Sequence, residues 1–212
     1  MLIVIEGIDG SGKSTLAKDL AHQLEQQHVN VLLTREPGGS KLGKNLRTIL
    51  QTQPVPVTPI AEFLLFAADR AQHFEEVVVP ALREHKLVIS DRMGDSSLIY
   101  QGYGRGIDKD KIMLVNAWAM QNIKPDLILY LRIPASVAQQ RLYERKKLTV
   151  FEKEQTEFVI KLIDGFETLY KNRDDVIILD GTQTPQKVTQ TALKAINLWH
   201  SKQIAQLNQI PS

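Results

Sequence analysis

The sequence of 212 residues contains no cysteine. This excludes a disulfide framework and a thiolate zinc site, and it is typical of a protein from a reducing compartment. The formal net charge is only +2, so no overall basic surface for nucleic acid is indicated. Long hydrophobic runs are also missing. The N-terminal apolar run, residues 1–5, ends at Glu6 and is too short for a signal peptide or a membrane span. We therefore expect a cytoplasmic protein with neither a nucleic acid nor a membrane as partner.

The hydrophobic residues that are present follow two patterns. Runs rich in Val, Ile and Leu without polar alternation are typical of buried parallel strands, and they occupy residues 2–6, 31–34, 87–90, 127–131 and 176–179. Helical spacing is found between them, at residues 13–27, 58–82, 108–122, 135–147, 152–170 and 186–202. This alternation predicts a three-layer α/β fold, with a five-stranded parallel sheet flanked by helices. Residues 51–59 resemble a loop rather than a linker, so we expect one domain over 1–212.

The first predicted strand is followed by a glycine-rich segment, Gly-Ile-Asp-Gly-Ser-Gly-Lys-Ser at residues 7–14. It matches the G-x-x-x-x-G-K-[ST] pattern, in which backbone N–H groups surround nucleoside triphosphate phosphates. Lys13 is expected to reach the β- and γ-phosphates, and the Ser14 hydroxyl suits Mg²⁺. The alternative is a glycine-rich turn that only caps a helix. The residues expected to bind ATP are Gly7, Ile8, Asp9, Gly10, Ser11, Gly12, Lys13, Ser14 and Thr15.

An acidic and a basic residue, Asp91 and Arg92, stand where the third predicted strand ends. Ligands of open α/β sheets bind at the carboxyl ends of the strands. Asp91 is therefore a candidate for holding Mg²⁺, and Arg92 a candidate for binding a phosphate. A surface ion pair that closes the strand is the alternative. The next segment, residues 93–106, fits either a ligand-binding loop or a flexible turn.

The predicted helix over 58–82 has two different faces. The apolar face is expected to contact the core and consists of Ile60, Phe63, Leu64, Ala67, Ala71, Phe74 and Val78. Phe66 lies about 100° away, in a polar stripe with Glu62, Asp69, Arg70 and His73. An aromatic ring one turn before an arginine suits the stacking of a nucleotide base. A phenylalanine at the edge of the core fits the pattern equally well.

Two basic clusters allow a structural and a functional interpretation. The first, in residues 34–47, fits a solvated helix face on its charge alone and contains Arg35, Lys41, Lys44 and Arg47. The second lies near the end of the helix predicted over 135–147 and contains Arg141, Arg145, Lys146 and Lys147. Cations are favoured at a helix C-terminus by the helix dipole alone. The functional alternative is a lid that closes positive charge onto a transferring phosphoryl group.

Taken together, five blocks strongly resemble bacterial thymidylate kinases in order and spacing over nearly the whole chain. They are EGIDGSGKST, REPGG, FLLFAADRAQH, SDRMGDSSLIYQGYGRG and KPDLILYL. The resemblance implies an enzyme that phosphorylates dTMP to dTDP with ATP and Mg²⁺. It also implies a nucleoside monophosphate kinase domain of the P-loop NTPase type with a five-stranded parallel sheet, usually as a homodimer.

The resemblance implies roles for residues around the thymine base. Phe66 would stack on the ring, and Arg70 would donate a hydrogen bond to its edge. Ser97 and Gln101 would contact the base. Tyr100 matches the tyrosine that leaves no room for a ribose 2′-hydroxyl.

The resemblance implies further roles around the sugar and the acceptor phosphate. Asp9 matches the acid on the 3′-hydroxyl side of the nucleotide. Arg35 and Arg92 would lie near the acceptor phosphate, and Asp91 would be the metal-associated acid. Pro37 matches a proline that the family often holds in the cis form.

The family supplies transition-state charge either from the phosphate loop or from the lid. The phosphate loop here has no cation at residues 9–11, whereas the lid, about residues 139–152, is basic. The resemblance therefore implies the lid, with Arg141 and Arg145 as the candidates. The chain departs from the family at 149–152, where TVFE replaces a D-R-I-E-like stretch. Met93 and Lys44 replace a common tyrosine and a frequent glutamate.

We expect direct in-line transfer of the γ-phosphoryl group without a general base, because the acceptor oxygen is already anionic. Positioning and charge neutralisation by Lys13, Mg²⁺, Arg92 and the lid would then supply catalysis. The rival hypotheses are another nucleoside monophosphate or deoxynucleoside kinase, a nucleotide-dependent switch or binding module, and nucleic-acid binding through the lid. The helix predicted over 108–122 is apolar on more than one face, so it is either buried or shared with a second copy.

Overall fold

The computed structural model describes residues 1–53, 55–144 and 148–207, with residues 153 and 202–207 described for their backbone alone. Its centre is a five-stranded parallel sheet with the strand order β2-β3-β1-β4-β5. The strands are β1 (Leu2–Glu6), β2 (Val31–Arg35), β3 (Leu87–Asp91), β4 (Leu127–Arg132) and β5 (Val176–Asp180). Each strand predicted from the sequence is confirmed.

Helices connect the strands and cover the sheet. They are α1 (Lys13–Gln26), α2 (Lys41–Thr52), α3 (Pro59–His73), α4 (Val79–Arg83), α5 (Gly94–Ser97), α6 (Lys109–Ala119), α7 (Ala135–Tyr143), α8 (Thr156–Tyr170) and α9 (Pro185–Leu207). Segments of π-helix occupy Phe74–Val78 and Leu98–Gly104, and Phe151–Lys153 forms a 3₁₀ turn. The helix predicted over 58–82 is therefore divided into α3, a π-helical turn and α4. Within the described residues, no helix is both long and apolar enough to cross a membrane.

The two faces of the sheet carry separate hydrophobic clusters, because alternate side chains of a strand point to opposite faces. On one face, Ile3 and Ile5 of β1 pack with Leu20 of α1 and with α9. On the other, Val4 belongs to a cluster that includes Phe166 of α8. Helices on both faces of a parallel sheet confirm the predicted three-layer α/β fold.

The apolar face predicted within residues 58–82 is confirmed in part, since Phe63, Ala67, Phe74 and Val78 are buried. Ile60 and Leu64, expected in the core, are 63% and 51% exposed, and Ala71 is exposed as well. The polar stripe is buried instead, and its buried members are Glu62, Asp69, Arg70 and His73. Polar partners from distant segments compensate the burial of Glu62, Arg70 and His73, and Oδ1 of Asp69 accepts from the N–H of Gly38 at 2.9 Å. The helical spacing of apolar residues therefore identified the apolar part of the inward face and missed its polar part.

The strand register places three chemically active segments at one edge of the sheet. Ile5 of β1 is paired with Asp91 at the end of β3, and Asp91 is paired with Arg35 at the end of β2. The glycine-rich loop begins directly after β1. The carboxyl ends of the strands therefore gather this loop, Asp91 and Arg35 in one region, as expected for an open α/β sheet.

Candidate active site

The loop between β1 and α1 has the backbone of an anion-binding turn. Gly10 and Gly12 adopt φ angles of +82° and +101°, a region that glycine enters without a Cβ penalty. Gly12 precedes the first residue of α1, and the described structure shows no side-chain cap there. The first backbone N–H groups of α1 are therefore available to an anion, with the helix dipole favouring negative charge.

Lys13 lies at the start of α1 with its ammonium group buried in this loop. Its Nζ donates to the carbonyl oxygen of Ile8 at 2.9 Å. Burial, and next the charge of Arg92, lower the pKa of Lys13 to about 8, although Asp9 and Asp91 act in the opposite direction. A cation with few water contacts is well placed to pair with phosphate oxygens.

Ser14 and Asp91, the two predicted metal ligands, are brought together. The Ser14 hydroxyl donates to Oδ2 of Asp91 at 2.5 Å, across 77 residues of sequence. A hydroxyl and a carboxylate are hard oxygen ligands that suit Mg²⁺, which takes one or two protein ligands beside phosphates and water. No group of three or more metal-ligating His, Cys, Asp or Glu residues occurs in the described parts of the chain. The donor set fits an ion held largely by a bound phosphate.

Arg92 follows β3 in a left-handed backbone conformation, with φ +72°. This region is uncommon for a residue with a side chain and often marks a functional site. The guanidinium donates through Nη1 to the carbonyl oxygen of Gly7 and to Oγ of Ser96, each at 3.0 Å. Its Nη2 donates to Asp9 at 2.6 Å and to the hydroxyl of Tyr100 at 3.0 Å. Arg92 therefore joins the glycine-rich loop to the segment after β3.

Asp9 and Tyr100 complete this ionic cluster. The Tyr100 hydroxyl donates to Oδ2 of Asp9 at 2.8 Å. Burial tends to raise the pKa of Asp9, but the charges of Arg92 and Lys13 outweigh it and hold that pKa below its usual range. Burial raises the pKa of Tyr100 well above its ordinary value. Asp9 is therefore an acceptor and Tyr100 a donor at neutral pH.

Arg70 of α3 is the centre of a second polar network. Its side chain is fully buried, and Nε donates to Glu36 at 2.9 Å. Nη1 donates to Asn116 at 2.7 Å, and Nη2 donates to Ser97 at 3.2 Å. His73 binds the other oxygen of Glu36, at 3.1 Å. These partners fix the plane of the guanidinium.

The loop after β2 lies beside this network. The Glu36–Pro37 peptide bond is cis, in agreement with the prediction for Pro37. Arg47 of α2 donates to the carbonyl oxygen of Pro37 at 2.8 Å. Arg35 is exposed at the end of β2. The first basic cluster of the sequence therefore contributes two arginines to this region.

One cavity of about 420 Å³ connects the glycine-rich loop with these residues. This volume is in the range of small-molecule sites. The predicted site residues that line it are Asp9, Gly10, Gly12, Lys13, Ser14, Thr15, Arg35, Pro37, Phe66, Arg70, Asp91, Arg92, Ser97, Tyr100 and Gln101. Charged groups suited to phosphates and an aromatic ring suited to a base therefore share one space.

The remaining predicted residues lie elsewhere. Gly7, Ile8 and Ser11 belong to the loop itself without lining the cavity. Arg141 of α7 donates to the carbonyl oxygens of Gly10 and Ser11 at 3.3 Å and to that of Gly181 at 2.9 Å. Its lid role stays a prediction. Arg145, Lys146 and Lys147 lie outside the described residues.

Several residues that line the cavity were not predicted as site residues, among them Glu36, Arg47 and Phe151. Glu36 lies within the REPGG block and Arg47 within the first basic cluster, so a signal was present for both. Phe151 stands in the altered stretch at 149–152. Its ring centroid lies 5.8 Å from that of Phe66 and 6.3 Å from that of Tyr100. The aromatic wall of the cavity is therefore larger than predicted.

Comparisons with known proteins identify the family of the chain. The family model described as thymidylate kinase matches residues 5–192. The chain is 42% identical over 188 residues to the thymidylate kinase of Thermosipho africanus, covering 89% of this chain and 93% of that one. It is 38% identical over 196 residues to that of Kosmotoga olearia, covering 92% and 94%.

A solved structure shows the same architecture. The crystal structure of thymidylate kinase from Ehrlichia chaffeensis superposes with a TM-score of 0.75 at 31% identity, covering 92% of this chain and 98% of that chain. A matching family model, matching sequences and a matching fold lead to one conclusion. The chain belongs to the thymidylate kinase family, whose reaction is the phosphorylation of dTMP to dTDP with ATP.

Proposed function

We propose that the cavity is the place of this reaction, with the ATP phosphates on the loop of residues 7–15 and dTMP on the opposite side. The observation that carries the proposal is the position of Arg92. Its guanidinium binds Asp9 of the glycine-rich loop and the hydroxyl of Tyr100, a residue of the proposed acceptor side, at 2.6 and 3.0 Å. These contacts support a position for Arg92 between the two proposed nucleotide sites, where an acceptor phosphate would meet the γ-phosphate.

The acceptor contacts are assigned to named side chains. Phe66 stacks on thymine, Arg70 donates to the base edge, and Ser97 and Gln101 contact the base. Tyr100 excludes a 2′-hydroxyl. Their lining of one cavity with the phosphate loop supports these assignments.

The groups near the sugar and the acceptor phosphate are assigned similarly. Asp9 faces the 3′-hydroxyl side, and Arg35 and Arg92 bind the acceptor phosphate, next to the cis peptide of Pro37. Because Asp9 and Arg92 are already paired, the site is organised before the substrate arrives. Such preorganisation reduces the cost of binding.

In the reaction, an ionised oxygen of the dTMP phosphate forms a bond to the γ-phosphorus of ATP. The bond from that phosphorus to the β–γ bridging oxygen breaks, and ADP leaves. The acceptor oxygen carries no proton to remove, so positioning and charge neutralisation are sufficient. Lys13 holds the β- and γ-phosphates, and Arg92 reduces the repulsion between donor and acceptor.

A magnesium ion fits the pair formed by Ser14 and Asp91 at 2.5 Å. When bound there, it supplies positive charge to the β- and γ-phosphate oxygens. Ser14 would hold it directly, and Asp91 directly or through water.

The lid, about residues 139–152, is proposed to close over the phosphates as part of a single domain over 1–212. Arg141 and Arg145 are the candidate sources of transition-state charge. Arg141 donates to the carbonyl oxygens of Gly10 and Ser11, and this contact of α7 with the glycine-rich loop supports the assignment.

The protein is proposed to act in the cytoplasm as a homodimer. The exposed apolar side chains include Trp118 and Leu114 of α6, at 82% and 72%, and Ile60 and Leu64 of α3. These two helices pack against each other. Exposed apolar side chains on two neighbouring helices suit a protein interface, and two-fold dimers are the commonest assembly.

Substitution of Lys13 by alanine tests the proposed site. We expect turnover to fall by at least about a hundredfold, because a preorganised charge on the transferring group is lost. Lys18→Ala, which removes an exposed lysine of the same helix, is the matched control and retains normal turnover. Near-normal turnover of Lys13→Ala with a matching unfolding curve would exclude the phosphate-loop role.

A further inference from the structure

Glu62 of α3 is a buried carboxylate that collects donors from three segments. Its exposed fraction is 3%. Its Oε1 accepts from Nε2 of Gln101 at 2.9 Å and from Nε of Arg105 at 3.4 Å. Its Oε2 accepts from Nε2 of Gln53 at 3.3 Å. Among these partners only Arg105 is charged, so it supplies the counter-charge that a buried carboxylate requires.

The other side of the Arg105 guanidinium reaches a different element. Its Nη2 donates to Oε1 of Glu154 at 2.6 Å. The guanidinium carbon also lies 4.7 Å from the ring centroid of Phe158, the third residue of α8. One planar group therefore bridges two carboxylates that are 92 positions apart in the sequence. A fork of fixed geometry is suited to this, whereas a lysine ammonium is not.

The two carboxylates belong to parts of the molecule with different roles. Glu62 holds the amide of Gln101, a residue that lines the cavity. Glu154 comes directly after the 3₁₀ turn Phe151–Lys153, where the lid segment ends. Phe151 of that turn contacts Phe66 and Tyr100. Arg105 thus connects the base side of the cavity to the end of the lid without lining the cavity itself.

We propose that Arg105 is a positioning residue that couples the acceptor pocket to the lid. Through Glu62 it fixes the side chain of Gln101, and through Glu154 it fixes the C-terminal end of the lid. The inference rests on the proposed roles of Gln101 and of residues 139–152. A shared group that both sites require is the physical basis of a coupling free energy.

Steady-state kinetics with ATP and dTMP separate the two connections. Arg105→Gln loses both, so we expect the KM for dTMP to rise and kcat to fall, each by about fivefold or more. Glu154→Gln loses only the lid connection, so kcat falls while the KM for dTMP stays within about twofold. Because Glu154 acts through Arg105, the double variant has the kcat of Arg105→Gln within about twofold.

Arg132→Gln is the matched control, since it breaks an ion pair with Glu167 in which both side chains are well exposed. If the wild type and this control do not phosphorylate dTMP, the proposed function fails. If they do and Arg105→Gln has unchanged kcat and KM, or loses only stability, the coupling is contradicted. A double variant whose kcat falls by the product of the two single-variant factors would also contradict the coupling. If Arg105→Gln does not fold, an unchanged kcat of Glu154→Gln is by itself sufficient to contradict the coupling.

Discussion

At the scale of single residues, Lys13 gives the phosphate loop a pH dependence. Burial, followed by the charge of Arg92, lowers the pKa of Lys13 from its ordinary value of 10.5 to about 8. The ammonium is therefore charged below about pH 8 and loses its charge above it. We expect the affinity for ADP to fall as the pH rises from about 7 to about 9.5. Isothermal titration calorimetry across this range measures the change.

Lys13→Gln is the control for this pH dependence. It binds ADP more weakly at neutral pH, and its affinity is expected to change little over the same range, because the titrating group is gone. If both proteins lost affinity in parallel, another group would be responsible. The assigned role of Lys13 in nucleotide binding would then lose its support.

Residue identities in the site were predictable to different degrees. The phosphate-loop residues follow from one local pattern, and Asp91 and Arg92 follow from the end of a buried strand. The partners of Arg70 do not, because Glu36 and Asn116 are 34 and 46 positions away. Such contacts depend on how the loop after β2 packs against α3 and α6. No periodicity in a single segment contains that information.

At the scale of elements, α3 shows the limit of apolar periodicity, which identified Phe63 and Ala67 as buried but not their polar neighbours. The apolar face predicted from the wheel includes Ile60 and Leu64, which the fold leaves exposed. The stripe of Glu62, Arg70 and His73 is buried, because other segments supply hydrogen-bond partners for it. Apolar periodicity identifies the inward face of a helix only where the side chains on that face are apolar. On α3 the inward face also carries polar side chains that form the hydrogen-bond network of the site.

The end of β1 carries a second pH-dependent group. Burial is the main cause that raises the pKa of Glu6 to about 7, from 4.5. Its carboxyl accepts from the N–H of Met93 at 2.9 Å and from Oγ of Ser96 at 2.7 Å. An acid with a raised pKa in the folded state stabilises the fold most below about pH 4.5. This contribution is lost as the pH rises through about 7.

Glu6→Gln removes this titration while retaining an acceptor for Met93. We therefore expect the free energy of unfolding of the wild type to decline more steeply than that of the variant between about pH 5 and about pH 8. Urea denaturation at several pH values measures both slopes. Parallel slopes would contradict the assignment of this titration to Glu6.

At the scale of the whole molecule, the sequence predicted the layers but not the full arrangement. The Val, Ile and Leu runs identified every strand of the sheet. The central strands β1, β3 and β4 are apolar because they are largely buried, whereas Leu33 and Ile178 of the edge strands β2 and β5 are 40% and 45% exposed. The strand order β2-β3-β1-β4-β5 required the structure, since connection lengths do not specify which neighbours pair. The gathering of the site residues at one edge follows from that order.

The exposed apolar surface of α3 and α6 predicts the assembly. We expect a dimer in solution, and we expect Leu114→Glu to produce a monomer by placing a charge in the interface. Leu198→Glu, on α9 and 60% exposed in the wild type, is the control that stays dimeric. Light scattering coupled to size-exclusion chromatography measures the mass. A wild type that remains monomeric at high concentration would contradict the proposed interface.

The most direct test of the account is the choice of acceptor. ADP release is measured with ATP and Mg²⁺ while dTMP, dUMP, dCMP, dGMP and UMP are offered in parallel. A cavity with Phe66 and Tyr100 in the assigned roles predicts a preference for dTMP over UMP of at least about a hundredfold in kcat/KM. Equal and slow ADP release with every acceptor would contradict the account, because the phosphate loop would then work without the base pocket.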